Sequence, residues 1–308
     1  MRITAITSPS FGALEMLRRE APDATLTVAD NADDLRGHIS GSDVILLAPR
    51  YGSILTDLWM EVRGVPWIHS LGAGVETLPF DLLKTTSTVV TNSRGLYADA
   101  LAEFVLAAML WFARDLRRLS KNQEAARWEP FTVERLEGKV VGIIGYGGIG
   151  QAVGRRAEAL GMRVLPVRRR GELGDPTVDE VLAESDYVVL STPLTPSTFR
   201  LLNRERLGRM RQDAVLINVS RGAIVDEQAL LDMLRNGSIR GAALDVFETE
   251  PLPPGHPLWK LENVLISPHS ADHTTDSHQR AMAFFLENLR RFRQGESLEN
   301  VVDKEERY

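Results

Sequence analysis

The stretch Lys139-Val-Val-Gly-Ile-Ile-Gly-Tyr-Gly-Gly-Ile-Gly150 decides how this chain reads. Its first half is an apolar run of strand length. Its second half sets Gly145, Gly147 and Gly150 at G-x-G-x-x-G spacing. That is the pattern of a buried strand entering a tight turn and then a helix. Gly145 permits the turn, Gly147 lets backbone N–H groups approach a pyrophosphate, and Gly150 lets the helix pack close to the strand. The helix, read from about 151 to 160, points its positive N-terminus at the phosphates. The spacing alone is a weak signal. Here an apolar strand precedes it, an amphipathic helix follows, and a second strand, 162–167, arrives on schedule. The turn therefore reads as a dinucleotide site lined by Gly145, Tyr146, Gly147, Gly148, Ile149 and Gly150.

Working outward, the first 92 residues alternate apolar runs with helical or loop segments. Strands are read at 2–7, 24–29, 43–49, 67–71 and 88–92, and helices at 11–20, 33–39, 56–62 and 80–84. Such alternation predicts a parallel sheet with helices on its faces. A long helix follows at 98–119. From 100 to 113 it is apolar nearly all round, with Glu103 its only charge. A surface helix would show a polar face, so this one is expected to be covered by domain packing or by another subunit. A second βα series then runs through strands at 140–144, 162–167, 187–191, 214–219, 242–246 and 264–266. The fold class is α/β, with two doubly wound parallel-sheet domains. A last helix, about 275–293, carries Ala281, Phe284, Phe285, Leu289 and Phe292 at helical spacing.

The chain has 308 residues, enough for two ordinary domains, with 44% hydrophobic and 25% charged residues. Its net charge of −6 gives no reason to expect nucleic acid or an anionic membrane as a partner. The absence of cysteine excludes disulfides, thiol nucleophiles and cysteine-ligated metals, and agrees with a reducing compartment. The N-terminus lacks the apolar core of a signal peptide, and no apolar run is long enough to span a membrane. The expected location is the cytoplasm.

The segments Gly72-Ala-Gly-Val-Glu76, Val90-Thr-Asn92, Ala102-Glu103, Gly145 to Gly150, Pro193-Leu-Thr195, Asn218-Val-Ser-Arg-Gly222, Val225-Asp-Glu227, Asp245-Val-Phe-Glu-Thr-Glu-Pro251 and Pro268-His-Ser-Ala271 occur in one order along the chain. In that order the sequence resembles the D-isomer-specific 2-hydroxyacid dehydrogenases. The resemblance covers most of the chain. It implies a nucleotide domain, 95–274, inserted into a substrate domain formed by 1–94 and 275–308. It also implies cofactor contacts at Thr192, Pro193, Val219 and Ser220, and a homodimer.

Reducing a 2-oxo acid needs, besides a hydride donor, a cation for the carboxylate and an acid for the carbonyl oxygen. Something must also keep that acid protonated near neutral pH. Arg221 follows the strand 214–219 at the edge where open α/β sheets bind ligands, and a guanidinium matches a carboxylate. His269 follows the strand 264–266 in the same way, and histidine suits the proton role. A carboxylate on its other ring nitrogen raises its pKa and fixes its tautomer. Glu248 and Glu250 compete for that place on proximity. The family's spacing selects Glu250, and the resemblance makes Arg221, Glu250 and His269 the catalytic trio. Asp245 ends a strand at the same edge, and the resemblance makes it a nicotinamide-amide or histidine-orienting contact. Gly72, Ala73 and Gly74 offer backbone N–H groups to the substrate carboxylate, and Arg50 reads a second polar group. His38, His69, His256, His273 and His278 stand in no complete constellation and read as structural or solvated. No spacing suggests a metal site.

An NAD enzyme of this fold usually carries an acid at the end of its second strand for the ribose 2′-hydroxyl. This chain has Val167-Arg-Arg-Arg170 there. Arg168 stands at the acid's usual place, with Arg169 beside it, and both attract a 2′-phosphate. NADP is therefore expected over NAD, with NAD still possible. The function expected is NADPH-dependent reduction of a small 2-oxo acid of the glyoxylate or hydroxypyruvate type. The alternatives are a corepressor-like dinucleotide sensor and a phosphoglycerate dehydrogenase without a regulatory domain.

Overall fold

A computed structural model describes residues 1–168 and 175–307. The chain falls into two compact units, Met1–Leu96 with Thr275–Tyr308, and Tyr97–Thr274. Both are α/β.

The first unit is built on β1 (Arg2–Ile6), β2 (Thr25–Ala29), β3 (Val44–Leu47), β4 (Trp67–Ser70) and β5 (Val89–Asn92), all parallel, in the order β2-β1-β3-β4-β5. Chain order reverses between β1 and β3, so the sheet is doubly wound. β3 and β4 are buried at every position. Helices cover both faces, which is why these strands read as unbroken apolar runs. The C-terminal helix Ser277–Gln294 returns to this unit and stacks Phe285 on Trp67, with ring centroids 5.4 Å apart. The tail then closes the β5 edge. The Val302 N–H donates to the Val90 carbonyl at 2.8 Å, and Lys304 Nζ donates to the carbonyls of Leu83, Thr86 and Thr88. An edge strand is thus denied to other chains.

The second unit carries β6 (Val140–Ile144), β7 (Arg163–Val167), β8 (Tyr187–Leu190), β9 (Val215–Asn218), β10 (Gly241–Leu244) and β11 (Val264–Ile266). All are parallel, in the order β11-β10-β9-β8-β6-β7. Alternate side chains feed two cores. Val189, Val215 and Ile217 pack on one face with Val105, Met109 and Phe112. Val188, Leu190 and Leu216 pack on the other with Val181 and Leu230. The order reverses between β6 and β8, and ligands of such sheets bind beyond the strand ends at that point.

Several boundaries differ from the sequence reading. The helix expected at 98–119 is two helices, Ala98–Ala113 and Leu116–Glu124. Asp115 breaks it with φ +47° and caps the second helix by accepting the Arg118 N–H. The apolar period runs through the break, so the pattern hid it. Within a single chain the first of these helices is covered on one side only. Leu101, Val105, Ala108, Met109 and Phe112 are buried, while Glu103, Ala107 and Leu110 are exposed. The helix after the glycine turn, Gly148–Ala159, begins three residues before the expected 151, so Gly148 and Gly150 belong to it. A single helix expected at 56–62 is split at Leu58 into Gly52–Asp57 and Trp59–Val62.

Candidate active site

The glycine turn is pinned between the ends of β7 and β8. Gly145 has φ +98°, and a Cβ there would stand 2.7 Å from the Thr192 nitrogen. Only glycine takes that conformation without cost. The Gly145 N–H donates to the Val167 carbonyl at 3.1 Å, and Ser191 Oγ donates to the Gly145 carbonyl at 2.6 Å. A Cβ on Gly150 would lie 2.3 Å from the Gly145 carbonyl oxygen, so the helix approaches the turn more closely than a side chain allows. Gly147 differs. It is the N-cap of the helix, no side chain caps it, and nothing stands within 4 Å of where its Cβ would be. Open space thus lies beside the first-turn N–H groups, which have no partner inside a helix. The turn fits a pyrophosphate. Tyr146 and Ile149 pack against the core below it. Thr192 and Pro193 follow β8, and Val219 and Ser220 follow β9 with both residues buried.

At the end of β7, the Arg168 guanidinium lies 5.0 Å from the centroid of the Tyr146 ring. That ring crosses Gly154, where a Cβ would meet the phenol oxygen at 2.5 Å. Arg168 Nη1 also donates to both carboxylate oxygens of Asp175, at 2.9 and 3.1 Å. An acid therefore does stand at this position, brought from eight residues beyond Val167, where no strand-end pattern points to it. Arg169 and Arg170 lie outside the described residues.

Three neighbouring strands supply the remaining polar groups. Arg221 follows β9, Asp245 and Glu250 follow β10, and His269 follows β11. His269 Nδ1 and Glu250 Oε2 are 2.7 Å apart, and Glu250 Oε1 accepts the Phe247 N–H at 3.0 Å. The hydrogen bond to Glu250 raises the His269 pKa above the ordinary histidine value. Burial opposes the rise, the Glu250 charge adds to it, and the Arg221 charge reduces it. Burial pushes the Glu250 pKa up, but the hydrogen bonds from His269 and the Phe247 N–H outweigh it and hold the carboxyl below its usual range. Glu248 is engaged elsewhere. Its carboxylate faces Arg200 at 3.4 Å and its N–H donates to Glu227 Oε2 at 3.1 Å. The contact with Glu250 thus favours the protonated ring, and Nε2 is the ring nitrogen that does not face the carboxylate.

The scaffold behind these groups was not legible from residue types. Asp245 is buried, and its Oδ1 accepts from Ser267 Oγ at 2.6 Å and from the N–H groups of Ser270 and Ala271 at 2.9 and 3.1 Å. It binds the His269 loop from both sides. Asn218 does the same for the Arg221 loop. Its Oδ1 accepts from the Ser220 N–H and Oγ, and its Nδ2 donates to the Arg221 carbonyl. A polar residue ending an apolar strand was the available signal. Gly222 locks the two loops together, because a Cβ there would fall 1.9 Å from the Phe247 carbonyl carbon.

Gly72, Ala73, Gly74 and Arg50 belong to the first unit, after β4 and β3. Gly72 lies under Pro49, whose Cγ would be 2.4 Å from a Cβ. Asn92 Nδ2 donates to the Ala73 carbonyl at 2.7 Å, and Ser93 N–H donates to the Gly72 carbonyl at 3.0 Å. The Arg50 guanidinium lies over the Tyr51 ring. Of the other histidines, His38, His273 and His278 are exposed. His69 is fully buried beside Thr91, and His256 caps a short 3₁₀ turn by accepting the Leu258 N–H. No cluster of potential metal ligands occurs among the described residues.

Residues 106–271 match the model of the D-isomer specific 2-hydroxyacid dehydrogenase family's NAD binding domain. The chain belongs to this family. It is therefore an NAD(P)-dependent oxidoreductase of the 2-hydroxyacid dehydrogenase type. This dehydrogenase is 40% identical over 306 residues to a glyoxylate reductase of Korarchaeum cryptofilum, covering 95% of this chain and 90% of that one. A D-3-phosphoglycerate dehydrogenase of Methanocaldococcus jannaschii is 30% identical over 310 residues, which cover 97% of this chain and 59% of the relative. Among solved structures, a D-isomer specific 2-hydroxyacid dehydrogenase of Xanthobacter autotrophicus in complex with NADPH superposes with a TM-score of 0.84 at 30% identity. It covers 100% of this chain and 99% of its own.

Proposed function

We propose that this dehydrogenase reduces a small 2-oxo acid, of the glyoxylate or hydroxypyruvate type, to the D-2-hydroxy acid with NADPH. The observation that carries this reading is the His269–Glu250 contact at 2.7 Å, beside an arginine loop on the next strand but one. The glyoxylate reductase at 40% identity favours 2-oxo acid reduction over a phosphoglycerate dehydrogenase or a corepressor-like sensor.

The Gly145, Gly147 and Gly150 turn would hold the pyrophosphate of a reduced nicotinamide dinucleotide, which would supply the hydride. Arg221 binds the substrate carboxylate and orients the carbonyl. His269 Nε2 gives its proton to the carbonyl oxygen, and Glu250 keeps that proton in place before transfer and stabilises the charged ring. Asp245 acts on His269 by fixing its loop. In the first unit, the substrate reading gives Gly72, Ala73 and Gly74 the substrate acid, and Arg50 a second polar substituent. No helix among the described residues is long and apolar enough to cross a membrane.

Steady-state oxidation of NADPH and NADH against a panel of 2-oxo acids tests this function. Glyoxylate and hydroxypyruvate are expected to lead the panel in kcat/KM with NADPH. A protein that turns over none of them, or works only with NADH, contradicts the proposal.

The exposed face of the helix Ala98–Ala113 supports the further reading of a homodimer. Leu110 is 41% exposed there, and beyond that helix Leu116, Leu119 and Trp128 are exposed, Trp128 to 96%. Burying each such side chain at a contact stabilises by roughly 1.5–3 kcal/mol.

A further inference from the structure

The acid beside Arg168 carries an inference about cofactor choice, which rests on the reading that Arg168 faces the ribose 2′ position. We propose that Asp175 is a specificity-determining residue: its carboxylate neutralises Arg168, weakens binding of the 2′-phosphate dinucleotide, and leaves the enzyme able to use both cofactors.

The geometry is built rather than incidental. Arg168 is held on one side by the Tyr146 ring, and that ring is seated over Gly154. Both Asp175 oxygens lie against a single nitrogen, Nη1. The Asp175 side chain is 18% exposed, against 42% for Arg168, so the acid is the more enclosed partner. Its backbone is anchored close by. Pro176 follows it, and Thr177 forms a capping box with Glu180 at the start of the helix Val178–Glu184.

The consequence is electrostatic. A guanidinium alone offers a full positive charge to a 2′-phosphate, which carries close to two negative charges at pH 7. With Asp175 against Nη1, that charge is partly offset, and an incoming phosphate meets a second anion at the Arg168 guanidinium. Like-charge juxtaposition acts against the wrong partner as effectively as a new contact acts for the right one. A ribose 2′-hydroxyl suffers no such repulsion and can donate to the carboxylate, as it does to the strand-end acid of NAD enzymes. Because the acid covers one nitrogen only, the other guanidinium edges remain for the phosphate. Asp175 therefore moderates NADP binding without abolishing it.

The amide isolates the charge, because Asn keeps the size and the acceptor oxygen of Asp. Dissociation constants for NADPH, NADH, 2′,5′-ADP and 5′-AMP are measured by calorimetry on the full chain, as wild type, Asp175→Asn, Asp175→Ser and Arg168→Gln. Asp175→Asn is expected to tighten NADPH and 2′,5′-ADP by about fivefold or more, a coupling of about 1 kcal/mol, and to leave NADH and 5′-AMP within about twofold. Asp175→Ser is expected to act with the same sign. Arg168→Gln is expected to weaken only the two 2′-phosphate ligands. If Arg168→Gln does so while the Asp175 variants change nothing, the proposal falls and the reading of Arg168 stands. Looser NADPH binding in both Asp175 variants makes the acid a scaffold for Arg168 and overturns the proposal. If Arg168→Gln leaves NADPH binding unchanged, both fall together.

Discussion

The backbone N–H of His269 donates to the carbonyl of Asp245 at 2.8 Å, and His269 holds φ +52°. A non-glycine residue in that region needs support from its surroundings. Asp245 gives it twice, through its carbonyl and through the three bonds accepted by Oδ1. Asp245→Ala leaves the N–H groups of Ser270 and Ala271 without their acceptor and is expected to cost about 2–4 kcal/mol of stability. It is also expected to lower kcat more than it raises KM, because the proton donor is displaced while Arg221 stays in place. Denaturant unfolding with steady-state kinetics checks both. An Ala variant with wild-type kcat removes Asp245 from the positioning of His269.

The His269–Glu250 pair makes a separable claim. His269→Gln is expected to lower kcat by about 10²-fold or more, the scale of general acid catalysis, with dinucleotide affinity nearly unchanged. Reduction needs the protonated ring, so activity is expected to fall as pH rises through the His269 pKa. Glu250 raises that pKa, so Glu250→Gln is expected to move the alkaline limb of the kcat profile to lower pH. A variant with an unmoved limb shows that the carboxylate does not set the proton affinity.

The exposed face of the helix Ala98–Ala113 makes the proposed dimer testable. The protein is expected to run in light scattering at about twice 34.2 kDa at micromolar concentration. Leu110→Glu places a charge on the exposed apolar face and is expected to yield a monomer. A monomeric wild type, or a dimer indifferent to the substitution, rejects this face as the interface.

The first unit contains its own acid-sensitive group. His69 is fully buried, with Nδ1 2.7 Å from Thr91 Oγ1 and no hydrogen-bond partner for Nε2. Burial draws its pKa down to about 3. The folded pKa is then below the unfolded value of about 6.5, and the unfolded chain binds the extra proton between the two. Stability is complete above about pH 6.5 and is lost as pH falls towards 3, by on the order of a few kcal/mol. Thermal unfolding from pH 7 to 4 tests this, with His69→Phe expected to lose stability at neutral pH and to show a flatter pH slope. An equal slope in wild type and variant assigns the acid sensitivity elsewhere.

Much of the fold was legible because its signals are local. A strand covered on both faces reads as an apolar run wherever it occurs, and a turn requiring φ > 0 at Gly145 leaves a glycine in the sequence. The chain order of βα units then implies parallel sheets. What the sequence could not yield depends on where separate loops end in space. Glu248 and Glu250 stand 21 and 19 residues before His269, so distance along the chain hardly separates them. The family's spacing favoured Glu250, and the fold supplies the physical reason by sending Glu248 to Arg200 and setting Glu250 against the imidazole. The break at Asp115 was hidden because the apolar period continues through it, while the left-handed backbone that makes the break leaves no glycine there. Asp175, unlike Glu250, had no motif to point to it. It meets Arg168 across residues 169–174, and no spacing rule says which carboxylate a guanidinium finds. The sequence by itself determined the strands, the glycine turn and the order of the polar groups, because backbone preference and apolar burial are written residue by residue. The tertiary structure alone decided which of those groups meet, because charge pairing and loop packing are set by distances between segments far apart in the chain.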